Sequence, residues 1–231
     1  LLAGLFCDTI RRTLGPAAAI VGTLMLILSK RYLLLSASVM IGQPALALAM
    51  LSIWLIVVHR DHPRRWVLLL SAAAFAMSVQ TKAFTVFLAP LIALQSPLIA
   101  RIGVPARRRW LTAGLWCVAF AVVSAVLLSI TWALAPAQLV TAHVGSATRN
   151  AYGQGFGFDV LVLELRQHDP YILLAAVGAA WGVIARRRDL CLPLLWCAAA
   201  VLLLTQHRPV WFHHSMLVMI PLCWLAAFAV S

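Results

Sequence analysis

Apolar stretches of membrane-spanning length recur from one end of this sequence to the other, and the connections between them carry its basic residues in short clusters. A backbone crossing hydrocarbon must satisfy its own N–H and C=O groups, which leaves only helices and closed barrels. The stretches lack the alternation of barrel strands, so each reads as a helix. Of 231 residues, 64% are hydrophobic and 10% charged, with a mean hydropathy of +0.98. Soluble domains run at about 45–50% apolar and about 25% charged. No water-soluble surface can be assembled from such an inventory. The chain therefore reads as an all-α polytopic membrane protein, a single transmembrane domain over residues 1–231 with no soluble catalytic module.

Hydrophobicity places spans near 14–29, 33–58, 66–81, 83–100, 110–134, 170–185, 190–206 and 215–230. That makes about eight transmembrane helices, preceded by an N-terminal stub, Leu1–Phe6, that is too short to span and lacks a basic leader region. The sequence also stops inside an apolar run at Ala229-Val230-Ser231, and the reading is of a fragment whose first spans lie before Leu1. Of the 18 lysines and arginines, one set of alternate connections holds twelve: Arg11, Arg12, Arg60, Arg64, Arg65, Arg101, Arg107, Arg108, Arg109 and Arg186–Arg188. The other set holds six: Lys30, Arg31, Lys82, Arg149, Arg166 and Arg208. The positive-inside rule makes the richer set cytoplasmic. It puts the long connection 135–169 outside, where Phe158, Leu161, Val162 and Leu165 recur at helical spacing as an amphipathic surface helix. Asp169-Pro170 then opens the following span.

The formal charge of +12 would point to nucleic acid in a soluble protein. Here the charges cluster between apolar spans, without a basic face interleaved with aromatics, so they read as topology signals and contacts to anionic membrane lipids. Cys7, Cys117, Cys191, Cys197 and Cys223 lie in or beside apolar runs with no CxxC pair. They read as small buried hydrophobes, neither a disulfide framework nor a zinc site.

Chemistry is sought among the basic residues that defy the topology bias. Lys82, in Thr81-Lys82-Ala83, is either a lysine snorkelling to the interface or a cation for an anionic headgroup at the outer surface. His207-Arg208-Pro209-Val210-Trp211-Phe212-His213-His214 is the densest polar and aromatic cluster at any outer turn. It is either a solvated turn with aromatic anchors or a phosphate site in which Arg208, His213 and His214 supply the donors. Neighbouring histidines diverge around a helix and no carboxylate lies near in sequence, so metal binding is not expected there. His143, Arg149 and Tyr152 in the long loop are candidate substrate contacts. Gly153-Gln154-Gly155-Phe156-Gly157 lacks the strand before it and the Lys-Ser/Thr after it that a phosphate cradle needs, and reads as a hinge. Asp159, Glu164 and Asp169 are the outer carboxylates. Each has a plain role on a polar helix face or as a cap, and none stands out as a general base.

One succession of features resembles a known family. A hydrophobic hairpin near 14–58 contains Ser36-Ala37-Ser38-Val39-Met40-Ile41-Gly42-Gln43-Pro44-Ala45; Thr81-Lys82, a long outer loop with a surface helix, and Arg208-Pro209-Val210-Trp211-Phe212-His213-His214 follow. This order resembles the GT-C membrane glycosyltransferases, in particular bacterial relatives of the dolichyl-phosphate-mannose protein mannosyltransferases and of the lipid A aminoarabinose transferases. That family commonly has an acidic residue before the proline where this chain has Gln43. The resemblance implies transfer of a sugar from a polyprenyl-phosphate donor to a lipid, glycan or protein acceptor on the outer face of the bacterial inner (plasma) membrane. It places the catalytic carboxylate in a first outer loop upstream of Leu1, and Lys82, Arg208, His213 and His214 at the donor phosphate. No cofactor is indicated, and room for a divalent cation stays open. Two other readings stand beside it: an O-antigen ligase or polymerase, which also holds an undecaprenyl-linked substrate with outer Arg and His residues, and a transporter or flippase of lipid-linked sugars. The latter would need broken helices and charges deep in the spans.

Overall fold

A computed structural model of the chain describes residues 1–37, 42–98, 104–136, 162, 166, 169–206 and 212–230, and the regular elements among them are all helical. In chain order these are α1 (Leu2–Leu14), α2 (Pro16–Leu28), α3 (Lys30–Ala37), α4 (Gly42–Asp61), α5 (Arg65–Thr81), α6 (Ala89–Leu98), α7 (Ala106–Leu134), α8 (Asp169–Ile184), α9 (Cys191–Gln206) and α10 (Met216–Ala229). Short 3-10 turns, Ala83–Leu88, Arg188–Leu190 and Phe212–Ser215, lead into α6, α9 and α10.

Local chemistry accounts for several boundaries. Gly15 sits at φ +104 between α1 and α2, a backbone conformation that suits glycine, and its N–H donates back to the carbonyls of Ile10 and Arg11. Pro16 then opens α2 where a missing N–H does no harm. At the far end of α8, Arg186 takes φ +52. The Arg186 N–H donates to Val183 O (3.1 Å) and the Arg187 N–H to Gly182 O (2.9 Å), the bonding pattern of a Schellman stop.

The register of the central hairpin is legible in its hydrogen bonds. Ser78 Oγ donates to Ala45 O (2.7 Å) and Ser71 Oγ to Ser52 O (2.9 Å), which sets α4 and α5 antiparallel. Trp116 Nε1 donates to Ser71 Oγ (3.0 Å) and Gln80 Nε2 to Thr131 Oγ1 (2.6 Å), so α7 runs parallel to α5. In an apolar bundle, side-chain hydrogen bonds of this kind hold helices together where the hydrophobic effect between them is weak. Phe75, Trp116 and Phe120 fill the space beside them, with ring centroids 5.3 to 5.8 Å apart.

The most enclosed element is α10. Every residue from Met216 to Phe228 is buried, as expected of a helix apolar on all sides. It packs against α2, α8 and α9, and Phe6 of α1 meets Trp224 edge-on at 6.1 Å. Gly178 and Gly182 of α8 allow the closest approach: a Cβ at Gly178 would overlap the Leu225 carbonyl, and one at Gly182 would strike the Leu190 side chain.

The expected eight crossings are not what the structure contains. Among the described residues, three runs are long and apolar enough to cross a membrane: Gly42–Asp61, Ala106–Leu134 and Arg188–Thr205. The count rises to four if α2 and α3, bent by 62° at Ser29, together make one span. The segments expected at 66–81, 170–185 and 215–230 form helices of 17, 16 and 14 residues, shorter than the roughly 20 that a 30 Å core requires. The segment expected at 83–100 opens as a 3-10 turn before α6. The single span expected over 33–58 is instead divided: its first residues belong to α3, and α4 begins at Gly42. The stub Leu1–Phe6 is the start of α1, which continues through Arg11 and Arg12 with an apolar face inward. Hydropathy registers composition across a helix break as readily as within a helix, and that is the physical reason for the overcount. Of the expected surface helix at 158–168 only Val162 and Arg166 are among the described residues, both helical, and the rest lies outside them.

The α7 helix turns an apolar side outward, with Leu115, Val118, Val122, Val126 and Ile130 exposed. Trp110 and Trp132, also exposed, stand near its two ends. At 1.5 Å per residue they are about 33 Å apart along the axis, close to the thickness of a hydrocarbon core. Cys117 lies on this exposed helix and is not a buried hydrophobe as expected. Cys223 is buried, and Cys7, Cys191 and Cys197 are half-buried; all five thiols are free.

Candidate functional site

Basic residues at one end of the bundle are tied into a network. Asp8 of α1 accepts from Arg11, from Arg12 Nε (2.6 Å) and from Trp54 Nε1 (2.7 Å) of α4. Arg12 also reaches Asp61 (3.2 Å), which pairs in turn with Arg60 (3.0 Å), and Arg60 Nη2 donates to Arg12 O. The other carboxylate side chain among the described residues, Asp189, pairs with Arg187. Each described carboxylate side chain is thus engaged by arginine, and none is a candidate base.

The opposite end of the α4–α5 hairpin carries Lys82, one of the residues expected to bind donor phosphate. Lys82 ends α5, its N–H donating to Ser78 O (2.9 Å). The Lys82 carbonyl accepts from both the N–H and the hydroxyl of Thr85, each at 3.0 Å, which folds the chain into the 3-10 turn Ala83–Leu88. Ser78 Oγ joins Thr85 Oγ1 at 3.1 Å, so the turn is anchored to α5 and, through Ala45, to α4. Lys82 is half-buried there, and burial pushes its ammonium below the usual lysine range. A cation already stripped of part of its hydration gains more from an arriving anion than a solvated one does.

His214 lies in the Phe212–Ser215 turn ahead of α10 and is 5% exposed. Its ring stacks on Phe84, two residues after Lys82. Two of the residues singled out from sequence, Lys82 and His214, are therefore carried on turns that touch through Phe84. Arg208, His143, Arg149 and Tyr152 lie outside the described residues, as does the side chain of His213. Among the described residues no group of three or more His, Cys, Asp or Glu side chains comes together as a metal site.

Arg31 entered only the charge count, yet it is 9% exposed, and its helix, α3, packs on the Phe212–Ser215 turn. A buried arginine at the same end adds a second cation to Lys82. The signal available in sequence was a basic pair, Lys30-Arg31, inside an apolar stretch on the side otherwise poor in charge. Gln43, which departs from the acidic residue common in the resembled family, donates from Nε2 to Ser36 Oγ (2.9 Å) and so bridges α4 to α3.

Comparison of the chain with protein-family models, with characterised proteins and with solved structures gives no match in any of the three.

Proposed function

We propose that this chain is an integral, multi-pass protein of the bacterial inner membrane that binds a polyprenyl-phosphate-linked sugar at its less basic end and serves its transfer to a lipid, glycan or protein acceptor. The observation that carries this reading is the stacking of Phe84 on His214, which sets the Lys82 turn against the turn that follows Arg208 in sequence. The leaving group in such a transfer is a lipid phosphate, and its growing negative charge needs cations fixed at the membrane surface. Lys82, half-desolvated, suits that role, and a low dielectric strengthens the contact. The Arg-rich network at the other end supports an orientation with Lys82 facing outward.

The test is photo-crosslinking in native membranes with a polyprenyl-phosphate sugar bearing a photoreactive group on the lipid. Wild-type protein is expected to label on peptides containing residues 82–84 or 212–214, with labelling several-fold weaker in Lys82→Ala and Arg208→Ala. Undiminished labelling in both variants removes these residues from a donor site.

A transporter or flippase of lipid-linked sugars draws on a different observation, the 62° break between α2 and α3 with Arg31 buried just beyond it. Broken helices and buried charges are features of transport paths. Movement of a labelled lipid-linked sugar across proteoliposomes without transfer would favour that reading over the enzyme.

A further inference from the structure

A second ligand site is suggested at the basic end by a groove with no part in the donor reading. The groove, of about 700 Å³, opens between the end of α4, the start of α5 and the start of α7. Arg60, Arg65, Arg108 and Arg109 line one part of it, and no carboxylate does. Leu68, Leu69, Leu111 and Leu115 line another. Arg60 is held by Asp61 and Arg109 Nε by the Val104 carbonyl (2.8 Å), which fixes two of the guanidinium groups in place. Among the described residues the Arg65 and Arg108 side chains have no hydrogen-bond or ion-pair partner, and both are exposed. Four cations beside an apolar wall form an amphipathic cleft, and Trp66 and Trp110, exposed on the same two helices, mark the depth of a membrane interface.

We infer that this groove binds an anionic phospholipid of the cytoplasmic leaflet, its phosphate between Arg65 and Arg108 and its acyl chain along the leucines of α5 and α7. Charge complementarity selects the headgroup: guanidinium groups match phosphate oxygens bidentately, and Arg65, Arg108 and Arg109, unlike Arg60 with its Asp61 partner, have no carboxylate among the described residues to neutralise them. The apolar wall selects a lipid over a free phosphate, since α5 and α7 present further exposed apolar residues on which the chain continues. This inference rests on the membrane part of the proposal above and not on glycosyl transfer.

The experiment places the purified protein in nanodiscs of phosphatidylcholine with and without phosphatidylglycerol and counts retained lipid by native mass spectrometry. Wild-type protein is expected to retain phosphatidylglycerol over phosphatidylcholine. Arg65→Gln with Arg108→Gln should weaken retention about tenfold or more, two near-surface charges being removed. Arg64→Gln with Arg188→Gln, the same charge change outside the groove, should leave it intact. Equal loss in both pairs, equal retention of phosphatidylcholine, or displacement by inorganic phosphate at matched concentration overturns the site. Resistance of each protein to alkaline extraction from membranes is measured alongside. Extraction of the wild type overturns membrane insertion itself, whereas an inserted wild type that retains no phosphatidylglycerol overturns only the groove. A melting temperature for the Arg65/Arg108 variant equal to wild type shows that the loss is not one of folding.

Discussion

The imidazole of His214 lies face to face with the ring of Phe84, centroids 4.7 Å apart and planes 11° from parallel. This contact joins the turn after α5 to the turn before α10, segments far apart in the chain. Removing it by His214→Ala is expected to lower stability by about 1–3 kcal/mol, from the aromatic pairing and the space left behind. His214→Phe should keep most of the stability while removing the ring nitrogens. Thermal melts in detergent read the first effect, and donor cross-linking reads the second. Equal melting of wild type and His214→Ala would show that the stacking holds nothing.

Asp8 should confer acid-sensitive stability. Burial opposes its charge, but hydrogen bonds from Arg12, Trp54 and Arg11 outweigh that and hold its carboxyl well below the usual carboxylate range. A depressed folded pKa contributes stability that is fully present above the unfolded value of about 3.9 and is lost as pH falls toward the folded one. Asp8→Asn is expected to be less stable than wild type by about 2 kcal/mol at neutral pH, with the gap closing below about pH 4. A gap that is constant across pH 3 to 7 would exclude an ionic origin.

Ser71 serves two neighbours, donating to Ser52 O and accepting from Trp116 Nε1. Ser71→Ala leaves a buried indole N–H without its acceptor, and is expected to cost about 1–2 kcal/mol. Ser52→Ala, which leaves the Trp116 bond in place, should cost less. The order of the two melting temperatures checks this, and the reverse order would contradict it.

Gly178 offers no room for a side chain against Leu225. Gly178→Ala is expected to push α8 off α10 and to destabilise by about 1–3 kcal/mol, whereas Gly114→Ala, where nothing lies near, should be neutral or slightly stabilising. Protease sensitivity in membranes or thermal melts will separate the two.

Helicity was legible in composition, and so was the grouping of Arg11, Arg12 and Arg60, because charge clusters in apolar sequence have few places to go. Helix length was not. The breaks at Ser29 and after Lys82 depend on hydrogen bonds from single serine and threonine side chains, which a hydropathy window averages away. Of the site, Lys82 and His214 were visible as polar residues against the topology bias, but Phe84 was hidden, since a phenylalanine in an apolar run carries no mark of its partner. Asp8 was likewise hidden, its partner Trp54 lying 46 positions away. The pair Gly178 and Gly182, at the spacing of close-packed membrane helices, was there to be found.

Synthesis delivers α10 only after every helix that encloses it. Until Met216–Phe228 emerge, α2, α8 and α9 surround a vacancy lined with surfaces meant for one another's company. Helix α10 then acts as a keystone, and a ribosome halted before Met216 leaves an arch without one.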